Sequence, residues 1–296
     1  MSTENYPRTF QESKWLANDD ETSDEIDPKS DDIPKENSLC SLNVSLETKG
    51  FRNDYNIEII EYYKGIDAKY KYDNEIVRKI QKHTVDSDRE RVVAWVIEIG
   101  KQFSVPTDTI FNSIKLFDIL LTNVQISVDD LYLHSAACLL LSSKVYDSPD
   151  LDLFSKLCQD SDRISEAALM TDELDIFQKL NFNASNINTS SFIRYYLHNS
   201  IPSVNQDKCI KIWECSRIIA LCALCKTNCC AYSDEVKAIT SIVIACNALG
   251  YDFPKIDINQ QSMIDIKNAV KIMLEKPNCF LSSNFADISE FLRSSL

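Results

Sequence analysis

From about residue 54 onward, apolar side chains recur every three or four residues, which is the period of an amphipathic helix. In the segment that opens with Arg89, for example, Val92, Val96 and Ile99 fall on one helical face. A half-buried strand would instead alternate apolar and polar residues, and no segment does so convincingly. The pattern therefore predicts an all-α protein.

The periodic segments divide into an N-terminal helix and two series of five. The helix 127–144 is apolar almost all round, which is typical of a central, buried helix. The expected helices lie near 54–64, then near 89–103, 107–122, 127–144, 150–158 and 163–180, and finally near 189–199, 206–226, 232–249, 259–275 and 284–293. We expect an N-terminal helix and linker over 51–87, a first five-helix domain over 88–185 and a second over 186–296.

Residues 1–50 are polar and acidic and carry no helical period. They hold 12 acidic and 5 basic residues, which is −7 of the −14 net charge of the whole chain. Such a composition cannot bury enough apolar surface to offset the entropy cost of ordering. We therefore expect a disordered acidic tail.

Composition and charge exclude several classes of function. A net charge of −14 repels phosphate backbones, so we expect no nucleic-acid partner. Apolar runs stay shorter than the ~18 residues that a bilayer span requires, so we expect no membrane partner. Only 4 glycines occur and no Gly-rich phosphate loop, so no cofactor is expected. The N-terminus has no apolar core typical of a signal peptide, which favours the nucleus, the cytoplasm or both.

Cysteines cluster at Cys222, Cys225, Cys229 and Cys230, and this cluster has two interpretations. A C-x-x-C pair supplies two zinc ligands, which would make it half of a zinc site. Alternatively, Cys222, Cys225 and Cys229 fall at i, i+3 and i+7 and form one apolar helix face. No second C-x-x-C or His pair completes a ligand set, so the core interpretation is favoured and no metal is expected.

Five residues stand at separations of 29, 15, 11 and 29: Arg89, Asp118, Leu133, Lys144 and Glu173. This set resembles the signature of the cyclin box. The strings DRERVVAW, LLLSSK and FIRYYLH are similar to segments of A/B-type (mitotic) cyclins and occur in the same order. The resemblance implies a cyclin fold with two tandem boxes. It also implies a regulatory subunit, not an enzyme, that binds and activates a cyclin-dependent kinase in cell-cycle control.

Arg89 and Asp118 lie at ends of neighbouring antiparallel helices, so a buried ion pair between them would fix helix register. In cyclins, the pair formed by the equivalents of Lys144 and Glu173 faces the kinase. The resemblance thus implies a kinase interface that comprises Tyr55, Ile59, Tyr62, Lys144, Val145, Glu173 and Phe182. A helical stripe such as the one formed by Tyr55, Ile59 and Tyr62 is equally compatible with packing on the chain's own core.

The resemblance also implies two recognition sites for other partners. A substrate-docking patch would comprise Val92, Trp95, Glu98 and Tyr132, although charged residues replace some of the family's apolar positions and indicate a divergent patch. In the tail, Lys35, Glu36 and Asn37 form a tripeptide that resembles a degradation box read by the anaphase-promoting complex.

Other functions remain open on the sequence. A degenerate cyclin-fold scaffold would bind a partner without activating it. A transcription-linked cyclin-fold protein, similar to the general factor B family, would need a basic face for DNA. A helical enzyme would need a catalytic constellation, and His83, His134 and His198 are scattered with no nucleophile or metal motif around them.

Overall fold

A computed structural model describes residues 56–84, 86–146, 151–160, 164–200, 206–254, 256, 258 and 260–274. These residues form helices and connecting loops, without a strand, which confirms the all-α prediction. The helices are α1 Asn56–Lys69, α2 Asn74–Ile80, α3 Asp86–Gln102, α4 Thr107–Asn123, α5 Leu131–Tyr146, α6 Leu151–Asp160, α7 Glu166–Lys179, α8 Thr189–Ser200, α9 Gln206–Leu224, α10 Thr227–Cys230, α11 Asp234–Ala248 and α12 Gln260–Leu274.

Most observed helices agree with the expected ones within a few residues, but the N-terminal region differs. Helix α1 continues to Lys69 through Gly65, whose position has open space around it. A further helix, α2, follows because Asp73 caps it, accepting hydrogen bonds from the backbone of Glu75 and Ile76 at 2.8 and 3.1 Å. The short α10 was also not expected. The tail 1–50 and the segment 284–293 lie outside the described residues.

The first repeat, α3–α7, is built around α5. All nine side chains of 135–143 are buried, and α5 packs on α3, α4 and α7. Helices α3 and α4 approach closely at Gly100, where an added Cβ would lie 2.4 Å from the Cδ1 of Ile110. The central helix is therefore enclosed by its neighbours, as its unbroken apolar sequence predicts.

The second repeat has α11 at its centre, packed on α8, α9 and α12. Cys225, Cys229 and Cys230 are buried beside it and Cys222 is half-buried. Burial raises the pKa of Cys222 and Cys230 to about 12, so these thiols stay protonated at neutral pH and pack as small apolar side chains. Within the described ranges, no group of three or more His, Cys, Asp or Glu side chains is placed to hold a metal ion.

The two repeats belong to one compact unit and meet through polar contacts. The guanidinium of Arg89 donates to the backbone oxygen of Leu224 at 3.0 Å, at the end of α9. Next to it, the Glu90 carboxylate accepts from the backbone N–H of Thr227 at 2.9 Å. At the start of α4, Asp108 accepts hydrogen bonds from Ser190, Arg194 and Arg217 of the second repeat.

A buried network of four charges ties α1 to both repeats. The ammonium of Lys115 in α4 lies 2.6 Å from Asp234 and 3.3 Å from Asp67. Lys237 lies 2.7 Å from Asp234, and the backbone N–H of Asp234 donates to Asp67 at 2.8 Å. Two cations and two anions balance inside the protein, which is the condition for burying charge at a tolerable cost.

The pKa values of the two carboxylates in this network, Asp67 and Asp234, are shifted in opposite directions. Burial and the repulsion of Asp234 raise the pKa of Asp67 to about 6, against the attraction of the two lysines. Burial also acts to raise the pKa of Asp234, but attraction to Lys115 and Lys237 outweighs it, and that pKa is strongly lowered. Asp234 therefore stays ionised at neutral pH, while Asp67 titrates in the mildly acidic range.

No helix in the part of the chain that the structure describes is both long enough and apolar enough to cross a membrane.

Candidate functional site

Arg89 and Asp118 form a buried, two-pronged ion pair. The Nε and Nη2 atoms of Arg89 donate to the two carboxylate oxygens of Asp118 at 2.7 and 2.8 Å. Arg89 is only 1% exposed, and its guanidinium lies over the ring of Tyr72 at 5.1 Å. The contact that the spacing predicted is present. Its geometry fixes α3 against α4 and leaves neither charge on the surface for a partner.

Lys144 and Glu173 meet where the buried helix α5 reaches the surface. The side chains of residues 135–143 are buried, and those of Lys144, Val145 and Tyr146 are exposed. The Lys144 ammonium donates to the Glu173 carboxylate of α7, and the two side chains are 52% and 15% exposed. The structure thus joins these two predicted residues and leaves the lysine open to solvent.

Exposed apolar side chains flank this charged pair. On α7, Met170 lies one helical turn before Glu173 and Leu174 directly follows it, and these two apolar residues are 64% and 59% exposed. On α5, Val145 is 44% exposed. Sequence reasoning missed Met170 and Leu174. The signal in the sequence was their spacing, since Met170 lies three residues before Glu173 and Leu174 directly after it.

Phe182 follows the end of α7 and has an unusual backbone. Its φ is 60°, in the left-handed region that bulky residues rarely adopt, and the preceding Asn181 has a φ of 52°. The Phe182 ring is 66% exposed and meets Phe177 edge-on at 5.3 Å. A strained backbone that holds an aromatic ring in water is typical of a binding position.

On α1, the predicted stripe is only partly on the surface. Tyr62 is 63% exposed and Ile59 is half-buried, whereas Tyr55 lies outside the described residues. The face that packs on the second repeat instead carries Ile60 and Tyr63, and the Tyr63 ring meets Phe192 at 5.7 Å. Tyr62 therefore lies off this packing face, whereas Ile59, one helical turn before Tyr63, borders it.

The substrate-docking patch needs a correction. Val92 is 1% exposed, so it belongs to the core and cannot contact a ligand. Its side chain points inward because Val92 lies on the same face of α3 as the buried Val96 and Ile99. Trp95 and Tyr132 are half-buried and pack edge-to-face at 5.3 Å, and Glu98 is half-buried beside them. A role of these three residues in docking stays a prediction, and Lys35, Glu36 and Asn37 lie outside the described residues.

Comparison with known proteins agrees with these observations. Residues 58–185 match the family model for the cyclin N-terminal domain. The putative cyclin-A3-1 of Arabidopsis thaliana is 24% identical over 174 residues, which covers 57% of this chain and 48% of that protein. The human G2/mitotic-specific cyclin-B3 is 27% identical over 178 residues, covering 59% of this chain and 12% of the relative. The chain spans less than half the length of these relatives.

A solved structure supports the fold. The viral cyclin from herpesvirus saimiri superposes with a TM-score of 0.57 at 16% identity, covering 80% of this chain and 98% of that one. The helical fold of this chain is therefore the cyclin fold that the sequence resemblance implied. Residues 58–185 therefore belong to the family of cyclin N-terminal domains, and the chain is similar to the A- and B-type cyclins.

Proposed function

We propose that this chain is a regulatory subunit that binds a cyclin-dependent protein kinase and activates it allosterically. The observation that carries the proposal is the exposed Lys144–Glu173 pair on an apolar surface. Val145 directly follows Lys144 on α5, Met170 and Leu174 neighbour Glu173 on α7, and Phe182 follows α7; all four are exposed. Apolar and aromatic anchors around a charged pair are typical of interface hot spots, where the apolar part supplies affinity and the charges supply orientation.

The proposed activation acts on a conformational equilibrium of the kinase, and the helical surface of this chain would shift that equilibrium. In a kinase, a glutamate of helix αC must swing in to pair with the strand β3 lysine before phosphoryl transfer proceeds. A rigid helical surface that binds only the swung-in state shifts the equilibrium toward it. A shift from 1:99 to 99:1 needs about 5.5 kcal/mol of differential affinity, which an interface of hot-spot quality can supply.

The rigidity of the surface has a structural basis in α5. Because residues 135–143 are buried among α3, α4 and α7, the exposed last turn that carries Lys144 extends from the core of the repeat. Glu173 is fixed by the packing of α7 on the same helix. The two charges are therefore positioned before a partner arrives, which reduces the entropy cost of binding.

A charge swap tests the proposal. Replacing Lys144 or Glu173 with alanine should lower kinase affinity by about 2–5 kcal/mol, because one charge of a desolvated pair is left without its partner. The double variant Lys144→Glu/Glu173→Lys keeps the internal ion pair and reverses its polarity. We expect it to fold normally and to lose kinase binding, measured by calorimetry with a panel of cyclin-dependent kinases and by phosphorylation of a peptide substrate.

Arg78→Ala is the matched control, because it removes an exposed ion pair with Asp86 on another helix. It should leave kinase affinity unchanged. Full activation by the charge-swapped protein would show that the assigned surface is wrong. Binding without any gain in phosphorylation would instead favour the cyclin-fold scaffold.

We further propose a role in cell-cycle control, with the protein in the nucleus, the cytoplasm or both. The similarity to A- and B-type cyclins supports this role. Depletion of the protein in synchronised cells should delay a defined phase. Progression at the normal rate would favour a transcription-linked or scaffolding function.

A further inference from the structure

The side chain of Asn112 is a buried junction between α5 and the loop that follows α7. Asn112 belongs to α4 and is fully buried. Its amide nitrogen donates to the Oγ atom of Ser142 in α5 at 2.9 Å and to the backbone oxygen of Ala184 at 2.8 Å. Its amide oxygen accepts from the backbone N–H of Asn186 at 3.1 Å. Both donor hydrogens and the oxygen of the amide are therefore in use.

The two segments that Asn112 joins carry the two halves of the proposed kinase surface. Ser142 lies two residues before Lys144, near the end of α5. Ala184 lies two residues after Phe182, in the loop that leaves α7. A single buried nitrogen atom thus bridges the part of α5 that presents Lys144 and the loop that presents Phe182.

The loop needs an anchor because its backbone is strained. Phe182 has a φ of 60°, and a bulky residue keeps such a conformation only where its surroundings impose it. On the side of α7, the N–H of Phe182 donates to the backbone oxygen of Phe177 at 2.8 Å. On the other side, Ala184 and Asn186 are buried and bond to Asn112. Asn112 therefore fixes the far end of the strained turn.

We propose that Asn112 is a positioning residue, which acts through Lys144 and Phe182 to hold the kinase surface in its binding geometry. The proposal rests on the proposed function, since it concerns the affinity of that same surface. Without Asn112, the oxygen of Ala184 and the N–H of Asn186 would be buried without a partner, and the loop would rearrange to hydrate them. A surface that is ordered before binding loses less conformational entropy on association than one that must first be ordered.

The variant Asn112→Leu tests the proposal, because leucine keeps the branched shape of the side chain and removes all three hydrogen bonds. At a temperature at which the variant is folded, its dissociation constant for the cyclin-dependent kinase should rise about tenfold. The phosphorylation rate at saturating concentrations should equal that of the wild type, because the kinase orders the surface once bound. Amides of residues 181–187 should exchange faster with solvent hydrogen in the free variant and at the wild-type rate in the complex.

Gln81→Met is the matched control, because Gln81 is a second buried amide with three hydrogen bonds. It donates to the backbone oxygens of Leu121 and Val124 at 2.8 and 2.6 Å and accepts from the N–H of Ile126 at 3.0 Å. These contacts hold the loop between α4 and α5, at the opposite end of α5 from Lys144. The control should lose comparable stability in urea and keep the wild-type dissociation constant.

Asn112→Asp is a second variant, which keeps the test possible if Asn112→Leu does not fold. Its ionised carboxylate cannot donate to the oxygen of Ala184, whereas the protonated acid can. We expect its dissociation constant, divided by that of the wild type at the same pH, to fall toward one as the pH is lowered from 8 to 5.5.

Two results would overturn the proposal. One is a dissociation constant of Asn112→Leu that rises no more than that of Gln81→Met. The other is a ratio for Asn112→Asp that does not change with pH. Failure of the proposed function is distinguishable from both, because the wild type itself would then activate no cyclin-dependent kinase.

Discussion

At the scale of single residues, the structure separates charges that are buried within the fold from charges that reach the surface. The sequence alone does not distinguish the pair Arg89 and Asp118 from the pair Lys144 and Glu173. Each of these residues is charged and lies near the end of a helix or among apolar neighbours. In the structure the first pair is buried, whereas Lys144 is half-exposed. Burial therefore predicts that breaking the first pair lowers stability strongly, whereas the second pair contributes little to stability and is accessible to the proposed partner.

Replacing Asp118 with alanine should therefore destabilise the protein strongly. Arg89 would remain buried with its main charge partner removed, and such a loss typically costs 3–5 kcal/mol. We expect this shift in the free energy of unfolding, measured by urea denaturation. Asp175→Ala, which breaks an exposed pair with Lys179, should cost less than about 1 kcal/mol. Equal effects of the two substitutions would contradict the buried role of Asp118.

Asp67 should give stability a distinctive pH dependence. Its pKa is raised in the folded protein to about 6, so the folded state holds a proton that the unfolded chain, with a pKa near 3.8, has released. The contribution of Asp67 to stability is therefore full below the unfolded pKa and is lost as pH rises through about 6. We compare the urea midpoint of the wild type with that of Asp67→Asn. The midpoint of the wild type minus that of the variant should be smaller at pH 7.5 than at pH 5. A difference independent of pH would show that Asp67 does not titrate there.

At the scale of helices, the exposed surface follows from where each element ends. Helix α5 becomes exposed in its last turn, and α7 ends at a turn whose left-handed residues, Asn181 and Phe182, turn the chain toward α8. The helical period predicted these elements well, because burial of an apolar face dominates their formation. It could not predict Phe182 in the left-handed region, since that conformation is imposed by the packing around the turn.

Replacing Phe182 with asparagine should separate binding from folding. Asparagine tolerates a φ near 60°, so the substitution relieves backbone strain and should leave the melting temperature equal or higher. The same change removes an exposed aromatic contact, and we expect kinase affinity to fall by about 1 kcal/mol or more. Met263→Asn, an exposed apolar position on the second repeat, is the control for lost surface area and should not alter kinase affinity. A destabilised Phe182→Asn protein with normal affinity would assign Phe182 to the fold.

At the scale of the whole molecule, the acidic N-terminal segment carries a candidate recognition tripeptide that is separate in the sequence from the proposed kinase surface. Half of the net charge lies in residues 1–50, which contain the Lys35-Glu36-Asn37 tripeptide. The proposed kinase surface lies more than a hundred residues later in the chain. We propose that a degradation machinery of the anaphase-promoting type binds the tripeptide while the kinase remains bound to the repeats.

Alanine substitution of Lys35, Glu36 and Asn37 should accordingly lengthen the half-life of the protein in dividing cells without altering kinase affinity. A cycloheximide chase after mitotic exit measures the decay. Alanine substitution of Asp31, Asp32 and Ile33, a neighbouring triplet, should leave the decay rate as in the wild type. If both variants decay as fast as the wild type, the tripeptide is a coincidence of composition.

The sequence by itself determined the helical class, because helical periodicity is a local property that a chain carries without its fold. Together with the cyclin resemblance it also predicted the pairing of Arg89 with Asp118, which the structure contains, whereas the division into two five-helix domains stays a prediction. Tertiary structure alone decided that Val92 is buried while Leu174 is exposed, and that Lys115 meets two aspartates from distant helices. These outcomes depend on which helix faces which. That arrangement is set by the packing of the whole core, so no window of the sequence contains it.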